Sequence, residues 1–212
     1  MKKQKTIVYI DGFNLYYGCL KHSPYKWLDL RQLFTKLLDP SHEIIAIKYF
    51  TAHISGREGN HHSMIRQKIY LKALEAFIPE VKIYYGHYLT HSIQAKVVTP
   101  PPEFMKVYKT EEKGSDVNLA LHILNDAWLE AYDCAVLVSN DSDLAESLRM
   151  VKAQHQRKIG LIFPNTDAKR YPSHQLAQHA DFIKRIRCGV LAKAQLPLKI
   201  PGTEIVKPAA WG

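Results

Sequence analysis

The sequence predicts an α/β fold, a three-layer sandwich with a mostly parallel central sheet. Short, continuously apolar runs, typical of strands covered on both faces, alternate with segments whose apolar residues recur at helical spacing. The clearest runs are 6–10 (TIVYI) and 134–139 (CAVLVS), and a polar turn follows each of them. Strands that alternate with helices in this way favour crossover connections, and therefore a parallel sheet.

In the first half of the chain, strands are expected to alternate with helices. Asp29 precedes LRQLFTKLL, whose apolar residues have helical spacing, and Asp29 with Gln32 resembles a capping box. A polar, histidine-rich loop leads to a segment with an apolar residue at every fourth position: Ile65, Ile69, Ala73 and Phe77. We therefore expect strands at 6–10, 43–51 and 81–90, and helices at 14–20, 30–38 and 63–77.

The second half begins with a segment, 92–110, in which three consecutive prolines separate two β-rich pieces. It predicts a hairpin or an extended loop with a stiff tip. Beyond it we expect helices at 115–131, 144–154 and 173–179, and strands at 134–139, 158–163 and 182–186. After residue 188 the chain contains three well-spaced prolines, so we divide it into one domain, 1–188, and an extended C-terminal tail, 189–212.

Composition bounds the class of protein. A chain of 212 residues suits one domain with a sizeable hydrophobic core. Lys and Arg number 29 against 20 Asp and Glu, which gives a formal net charge of +9. A basic excess is compatible with a nucleic-acid partner, although many basic proteins bind none.

The cysteines and the first residues indicate the compartment. The three cysteines are odd in number, far apart and without metal-binding spacing, which is typical of a reduced, intracellular protein. The apolar run behind the basic start MKKQK stops at Asp11, which is too short for a signal peptide. No stretch approaches the roughly 18 apolar residues of a membrane span. We therefore expect a cytoplasmic protein without a membrane partner.

Four aspartates occupy positions that suit a site at the sheet edge. Asp11 directly follows the first strand, and Asp141 and Asp143 (SNDSD) follow the strand 134–139. Carboxyl ends of parallel strands form the ligand-binding edge of an open sheet. Asp116 opens the helix that leads into that strand, so it is expected at the same edge only if the preceding loop carries the chain there.

The aspartates allow a chemical and a purely structural interpretation. Carboxylates that converge in a dry crevice repel each other unless divalent cations neutralise them, and oxygen ligands suit Mg²⁺ or Mn²⁺. Such ions support phosphodiester hydrolysis by activating water and stabilising the leaving oxygen. Alternatively, Asp11-Gly12 forms a simple turn, while Asp116 and one member of the SNDSD pair only favour helix starts. The joint pattern favours the metal site.

Three ordered blocks, IVYIDGFNLYYG, EKGSDVNLALHIL and AVLVSNDSDL, resemble the signature blocks of the NYN domain, a family of PIN-like nucleases. The resemblance runs from about residue 5 to residue 186. It implies a PIN-like fold and a metal-dependent ribonuclease that uses Mg²⁺ or Mn²⁺. By this resemblance, the catalytic residues are Asp11, Asp116, Asp141, Asp143 and Asn14, and the metal ligands are the four aspartates.

Asn140 and a late segment of the chain also bear on the resemblance to the NYN domain. The family usually has glycine where this chain has Asn140, and asparagine tolerates left-handed backbone better than most residues. The late segment SHQLAQHADFIKRI resembles the closing stretch of the family, which makes Ser173 and Asp181 candidate supporting residues.

The resemblance also implies a nucleic-acid partner, with RNA favoured over DNA, and the positive net charge agrees with it. Tyr16, Tyr17 and Tyr108 are candidates for base stacking, but Tyr16 and Tyr17 also suit the core, and helical geometry allows at most one of them to face the crevice. The sequence leaves a homo-oligomer open. The candidate substrate-binding residues are Ser139, Lys109, Lys113, Arg57, Arg149, Lys169 and Arg170.

Two alternatives stay open at this point. The same fold without cleavage activity would be a nucleic-acid-binding or regulatory module. A topoisomerase–primase-like fold also combines an acid after the first strand with a later Asp-x-Asp. That fold normally uses Glu at the first position and leaves KGSD unexplained, and Asp116 would then point away from the other acids.

Overall fold

The computed structural model describes residues 3–54 and 61–211, and its centre is a seven-stranded sheet. The strands are β1 (Gln4–Asp11), β2 (His42–Ala52), β3 (Val81–Lys96), β4 (Phe104–Lys113), β5 (Cys134–Val138), β6 (Lys158–Phe163) and β7 (Phe182–Arg185). Their spatial order is β4-β3-β2-β1-β5-β6-β7. Every neighbouring pair is parallel except β3 with β4, which confirms the mostly parallel sheet.

Helices cover both faces of the sheet. They are α1 (Gly12–Leu15), α2 (Leu30–Leu37), α3 (His61–Phe77), α4 (Ser115–Trp128), α5 (Ala145–Met150), α6 (His174–Ala177) and α7 (Cys188–Ala192). A π-helical turn, Tyr16–Leu20, continues α1. No helix in these described ranges is both long and apolar enough to cross a membrane.

The alternation of side chains along β1 divides the hydrophobic core in two. Val8 and Ile10 belong to the cluster under α2, α3 and α7, whereas Ile7 and Tyr9 belong to the cluster under α4 and α5. Because successive strand residues point to opposite faces, a strand buried on both sides must be apolar throughout. The uninterrupted apolar run at 6–10 reflects this burial, and the three-layer sandwich is confirmed.

The segment with three prolines forms the turn of an antiparallel hairpin, one of the two predicted forms. β3 is longer than predicted and runs to Lys96, where it pairs with Phe104 at the start of β4. β4 returns to Lys113, opposite His87, so the hairpin brings the chain back to the sheet edge where α4 begins. A Cβ on Gly86 would lie 2.6 Å from the carbonyl oxygen of Lys113, so the close return requires glycine.

The structure corrects the expectation of an extended arm after residue 188. Trp27 donates a hydrogen bond from Nε1 to the carbonyl oxygen of Pro197 (2.8 Å), and Trp211 packs against Trp27 and Tyr70. Regular structure is sparse there, as the prolines suggest, but apolar side chains before and between the prolines anchor the segment in the core. The buried ones are Leu191, Ala194, Leu196 and Ile200.

Substitution of one buried leucine in this segment should destabilise the whole domain. Leu196 is 4% exposed and Leu198 is 71% exposed. Leu196→Ala should lower the free energy of unfolding by about 2–5 kcal/mol, because it removes buried methyl groups and leaves a cavity. Leu198→Ala should change it by less than about 0.5 kcal/mol. Urea unfolding measures both, and equal effects would show that the segment does not contribute to the core.

Candidate active site

The candidate site lies where the sheet topology switches direction. The chain continues from β1 to β2 on one side, whereas β5 lies on the other side of β1 and continues toward β6 and β7. In open parallel sheets, ligands bind at such a point, beyond the carboxyl ends of the strands. Ile10 of β1 is paired with Val138 of β5. Asp11 and Ser139, which come next in each strand direction, therefore leave the sheet side by side.

Asp11 is almost fully buried, and both of its carboxylate oxygens accept hydrogen bonds. Oδ1 accepts from the backbone N–H of Asn14 (2.9 Å), and Oδ2 accepts from Nδ2 of Asn14 (2.6 Å) and Oγ of Ser139 (2.9 Å). A Cβ at position 12 would lie 2.8 Å from the carbonyl oxygen of Phe50, so glycine is needed there. The Asp11 carboxylate caps α1 and joins the ends of β1 and β5.

The SNDSD turn is built on the same network. Oγ of Ser139 accepts a hydrogen bond from the Asp141 N–H (3.0 Å), and Oδ1 of Asp141 accepts one from the Asp143 N–H (3.0 Å). Asp141 thus caps the 3₁₀ turn Ser142–Leu144. Asp141 is half-buried and Asp143 is exposed. Asp141 alone caps the turn, as expected for one member of the SNDSD pair, and the turn does not need the carboxylate of Asp143.

Asn140 supports this turn without left-handed backbone. Its φ is not among the positive values of the described residues. Its N–H donates to Oδ1 of Asn14 (3.2 Å), and its side-chain Oδ1 accepts from the Ser173 N–H (2.7 Å). The asparagine that replaces the usual glycine therefore connects the turn to the segment before α6.

Asp116 reaches the site because α4 begins at the carboxyl edge of the sheet and descends across β1, β2 and β3. The hairpin delivers the chain to this edge, and Gly114 enters the helix in the left-handed region (φ 97°). Glu112, which the sequence motifs do not predict as a site residue, accepts hydrogen bonds from the Ser115 N–H (3.1 Å) and from Ser115 Oγ (2.8 Å). It adds a fifth carboxylate close to the four predicted ones.

The carboxylates act on one another electrostatically. Burial first, and then the negative charges of Asp11, Asp141, Glu112 and Asp143, raise the pKa of Asp116 to about 6. Burial also raises the pKa of Asp11, with a contribution from Asp141, while the hydrogen bonds from Asn14 and Ser139 oppose this rise. Asp116 therefore faces the other acids, as the nuclease interpretation requires and the topoisomerase–primase alternative does not.

The donor set suits a hard divalent cation in charge and atom type, because carboxylate oxygens are the preferred ligands of Mg²⁺ and Mn²⁺. A cation would also relieve the repulsion that, after burial, contributes to the raised pKa of Asp116. However, within 3–54 and 61–211 no three His, Cys, Asp or Glu side chains are arranged to hold a metal ion. Asp11 directs both oxygens at protein donors. Ligation would therefore involve the remaining lone pairs, a closing of the side chains, or intervening water.

Most of the predicted phosphate-binding cations are paired or exposed. Glu111 forms ion pairs with both Lys109 (2.6 Å) and Lys113 (3.3 Å), and Glu146 forms one with Arg149 (2.6 Å). Exposed surface ion pairs of this kind are weak, so the lysines stay accessible to a phosphate. Two others, Lys169 and Arg170, are exposed in the loop after β6. The remaining candidate, Arg57, lies outside the described residues.

The two candidate supporting residues have different placements. Ser173 joins the site through its N–H bond to Asn140. Asp181 instead accepts from Lys152 Nζ and from the N–H of Ile159 (2.7 Å). Ile159 is at the amino end of β6, so Asp181 lies at the opposite edge of the sheet and does not support the candidate site.

A cavity of about 890 Å³, which the sequence does not predict, adjoins the acids on the α3 side of the sheet. Gly12 and Phe13, which directly follow Asp11, form part of its wall. Tyr16 and Tyr17 both line this cavity, which is distinct from the carboxylate crevice, so the expectation that at most one of them faces the crevice stays a prediction. The π-helical turn explains why two consecutive residues line one cavity, because its wider winding brings neighbouring side chains closer in angle than an α-helix does.

Asp116→Asn should change the pH dependence of stability in a defined direction. Because the pKa of Asp116 is about 6 in the folded protein against 3.8 for an ordinary aspartate, the folded state keeps a proton that the unfolded chain loses first. The resulting stabilisation is present below about pH 4 and is lost as the pH rises through 6. In EDTA, the variant should gain free energy of unfolding relative to wild type between about pH 4 and 7. A constant difference in urea unfolding would contradict the raised pKa.

Comparisons with known proteins identify the family of the chain. A protein of Pseudomonas putida named 6-hydroxy-3-succinoylpyridine 3-monooxygenase HspA is 37% identical over 236 residues, which cover 98% of this chain and 75% of that protein. The crystal structure of a protein of unknown function from Vibrio parahaemolyticus shares the fold, with a TM-score of 0.54 and 18% identity over 92% of this chain and 97% of that one. The family model of the NYN domain matches residues 5–184. The chain therefore belongs to the NYN domain family.

Proposed function

We propose that this protein is a metal-dependent phosphodiester hydrolase, and specifically a ribonuclease that uses Mg²⁺ or Mn²⁺. One observation carries the proposal: Asp11, Asp116, Asp141 and Asp143 lie near one another at the topological switch point, where burial and then the charges of the neighbouring acids raise the pKa of Asp116 to about 6. Structural roles explain the individual caps at Asp11 and Asp141. They do not explain why further carboxylates face the same crevice. Membership of a family of PIN-like nucleases supports the same chemistry.

Each residue has a definable role in this proposal. The four aspartates would hold the cations, which would lower the pKa of the attacking water and stabilise the leaving oxygen. Asn14 and Ser139 fix the orientation of the Asp11 carboxylate through their hydrogen bonds. Lys109, Lys113, Lys169 and Arg170 neutralise phosphates of the bound strand. Attack of water on the phosphorus in this way leaves a 5′-phosphate and a 3′-hydroxyl.

The name of the Pseudomonas relative supports a second candidate function, oxygenation of a small aromatic compound. The observation that favours it is the cavity beside the acids, whose walls include Phe13, Tyr88 and Trp211. A monooxygenase transfers one atom of O₂ to its substrate and reduces the other to water with two electrons from a donor. This candidate therefore requires a two-electron donor as co-substrate, which the hydrolase does not.

Removal of a single carboxylate should abolish RNA cleavage. With Mn²⁺, the purified protein should cleave a 5′-labelled single-stranded RNA, and Asp11→Asn and Asp141→Asn should each lower the rate at least about 100-fold, since even supporting groups of metal ligands contribute 10–100-fold. Glu43→Gln is the matched control, because Glu43 is exposed at the amino end of β2, the opposite edge. Cleavage that survives either aspartate substitution rules out this site.

The same preparations distinguish the alternatives. RNA binding without cleavage under Mg²⁺ or Mn²⁺ would indicate a binding or regulatory module. Oxygen uptake with 6-hydroxy-3-succinoylpyridine and a two-electron donor, together with inert RNA, would favour the oxygenase. Mass spectrometry of the RNA ends checks the reaction type, because only hydrolysis through an activated water predicts a 5′-phosphate product.

A further inference from the structure

The cavity beside the acids combines aromatic walls with charged side chains that are all positive. Five parts of the chain contribute most of its wall: α1 with its π-helical extension, the end of β2, α3, the hairpin of β3 and β4, and the C-terminal segment around Trp211. Among its described lining residues, three are cationic, Lys21, Lys26 and Arg66, and none is an aspartate or glutamate. The cavity and the neighbouring carboxylate crevice therefore have opposite charge.

The aromatic side chains of the cavity remain accessible to a ligand. Tyr17 is 60% exposed and Tyr108, on the hairpin, is 80% exposed, although large aromatic side chains are usually buried. Deeper in the cavity, Phe13 and Tyr88 pack edge to face with ring centroids 6.3 Å apart. Stacking on aromatic faces is how proteins commonly hold planar rings. Tyr17 and Tyr108 are therefore exposed rings that border the open volume of the cavity and are accessible to a planar ligand.

The cations converge without a described acidic partner. Lys26 and Arg66 line the same cavity, and burial together with the nearby charge of Arg66 lowers the pKa of Lys26. Lys26 Nζ donates to the carbonyl oxygen of Ser23 (2.6 Å), and Arg66 Nη2 donates to Ser63 Oγ (3.0 Å). These neutral acceptors use only part of the donor capacity, since guanidinium has five N–H groups and ammonium three. An anion between them would satisfy the remaining donors and remove the repulsion.

The size of the cavity limits the ligand. Its volume of about 890 Å³ is within the 300–1,000 Å³ that small-molecule sites usually have. Gln67 is not available to the ligand, because its amide bonds to the backbone of Ala52 and Ile54. The remaining wall offers rings, hydroxyl groups and cations, which suits a ring system of one or two rings with an acidic substituent.

We propose that this cavity binds a planar aromatic ring that carries an anionic group, with the ring against Tyr17 and Tyr108 and the anion on Arg66 and Lys26. Two sources supply this chemistry: a nucleotide of a single strand that continues toward the carboxylates, and a free aromatic acid. The site does not depend on cleavage, because none of the four aspartates lines it. It therefore goes beyond the proposed hydrolase.

Calorimetric titration of the full chain in EDTA tests this with paired probes that differ in charge. Adenosine monophosphate is compared with adenosine, and nicotinate with nicotinamide. At least one acid should bind about tenfold or more tightly than its uncharged counterpart. Binding of the monophosphate and of a short single-stranded RNA identifies a nucleotide site, whereas binding of nicotinate alone identifies a site for free aromatic acids. Either result supports the cavity, and no preference for the acid in both pairs overturns it.

Substitutions locate the binding in the cavity. Arg66→Gln should weaken binding at least about tenfold, and Tyr108→Ala about fivefold or more, since stacking on one aromatic ring contributes 1–3 kcal/mol. The matched controls are Arg187→Gln and Tyr171→Ala, because Arg187 is exposed and Tyr171 is 80% exposed like Tyr108. If Arg66→Gln leaves the affinity for the acid unchanged, the acid binds to the positively charged surface in general and not in the cavity, which overturns the proposal. Asp141→Asn should bind normally, so a failure of cleavage and a failure of this site are distinguishable.

Discussion

The repulsion among carboxylates at one edge of the sheet is the constraint on which the site depends. The topology forces it, because β1 and β5 are neighbours and end at the same edge, and α4 begins there as well. Asp11 tolerates burial since Asn14 and Ser139 donate to it. Among the described residues Asp116 has no comparable donors, and burial, followed by the charges around it, raises its pKa to about 6. A divalent cation would remove the electrostatic part of this conflict, which is the physical reason for proposing metal-dependent chemistry.

The hydrogen bonds that build the edge also prepare it for function. Ser139 donates to Asp11 and accepts from the N–H of Asp141, so a single hydroxyl connects β1, β5 and the SNDSD turn. A cap and a catalytic carboxylate are thus compatible roles for one residue. The hairpin serves both sides of the edge, because β4 leads into α4 and Asp116, while Tyr108 on the same strand borders the aromatic cavity.

The sequence predicted the sheet and the positions of the acids because both depend on local patterns. Burial on two faces requires continuous apolar runs, and strand ends carry the polar residues. The prediction from sequence failed where contacts between distant parts of the chain determine which residues are buried. The burial of Leu196 depends on a groove that other elements form. The apolar face of α3 is centred on Tyr70, Leu71 and Leu74 rather than on Ile65, because its position depends on the elements that pack against the helix. The cavity has no linear signal, because its wall combines α1, α3 and the hairpin.

The most direct measurement is a calorimetric titration of the protein with Mn²⁺ at pH 6, in two buffers of different ionisation enthalpy. At this pH, Asp116 is protonated in about half of the molecules, because its pKa is about 6. A shared carboxylate site predicts saturable Mn²⁺ binding that releases a fraction of a proton per ion at pH 6 and almost none at pH 8. Asp116→Asn should lower the affinity and abolish the release. Absence of saturable binding, or an unchanged affinity in Asp116→Asn, would contradict a metal site built from these aspartates.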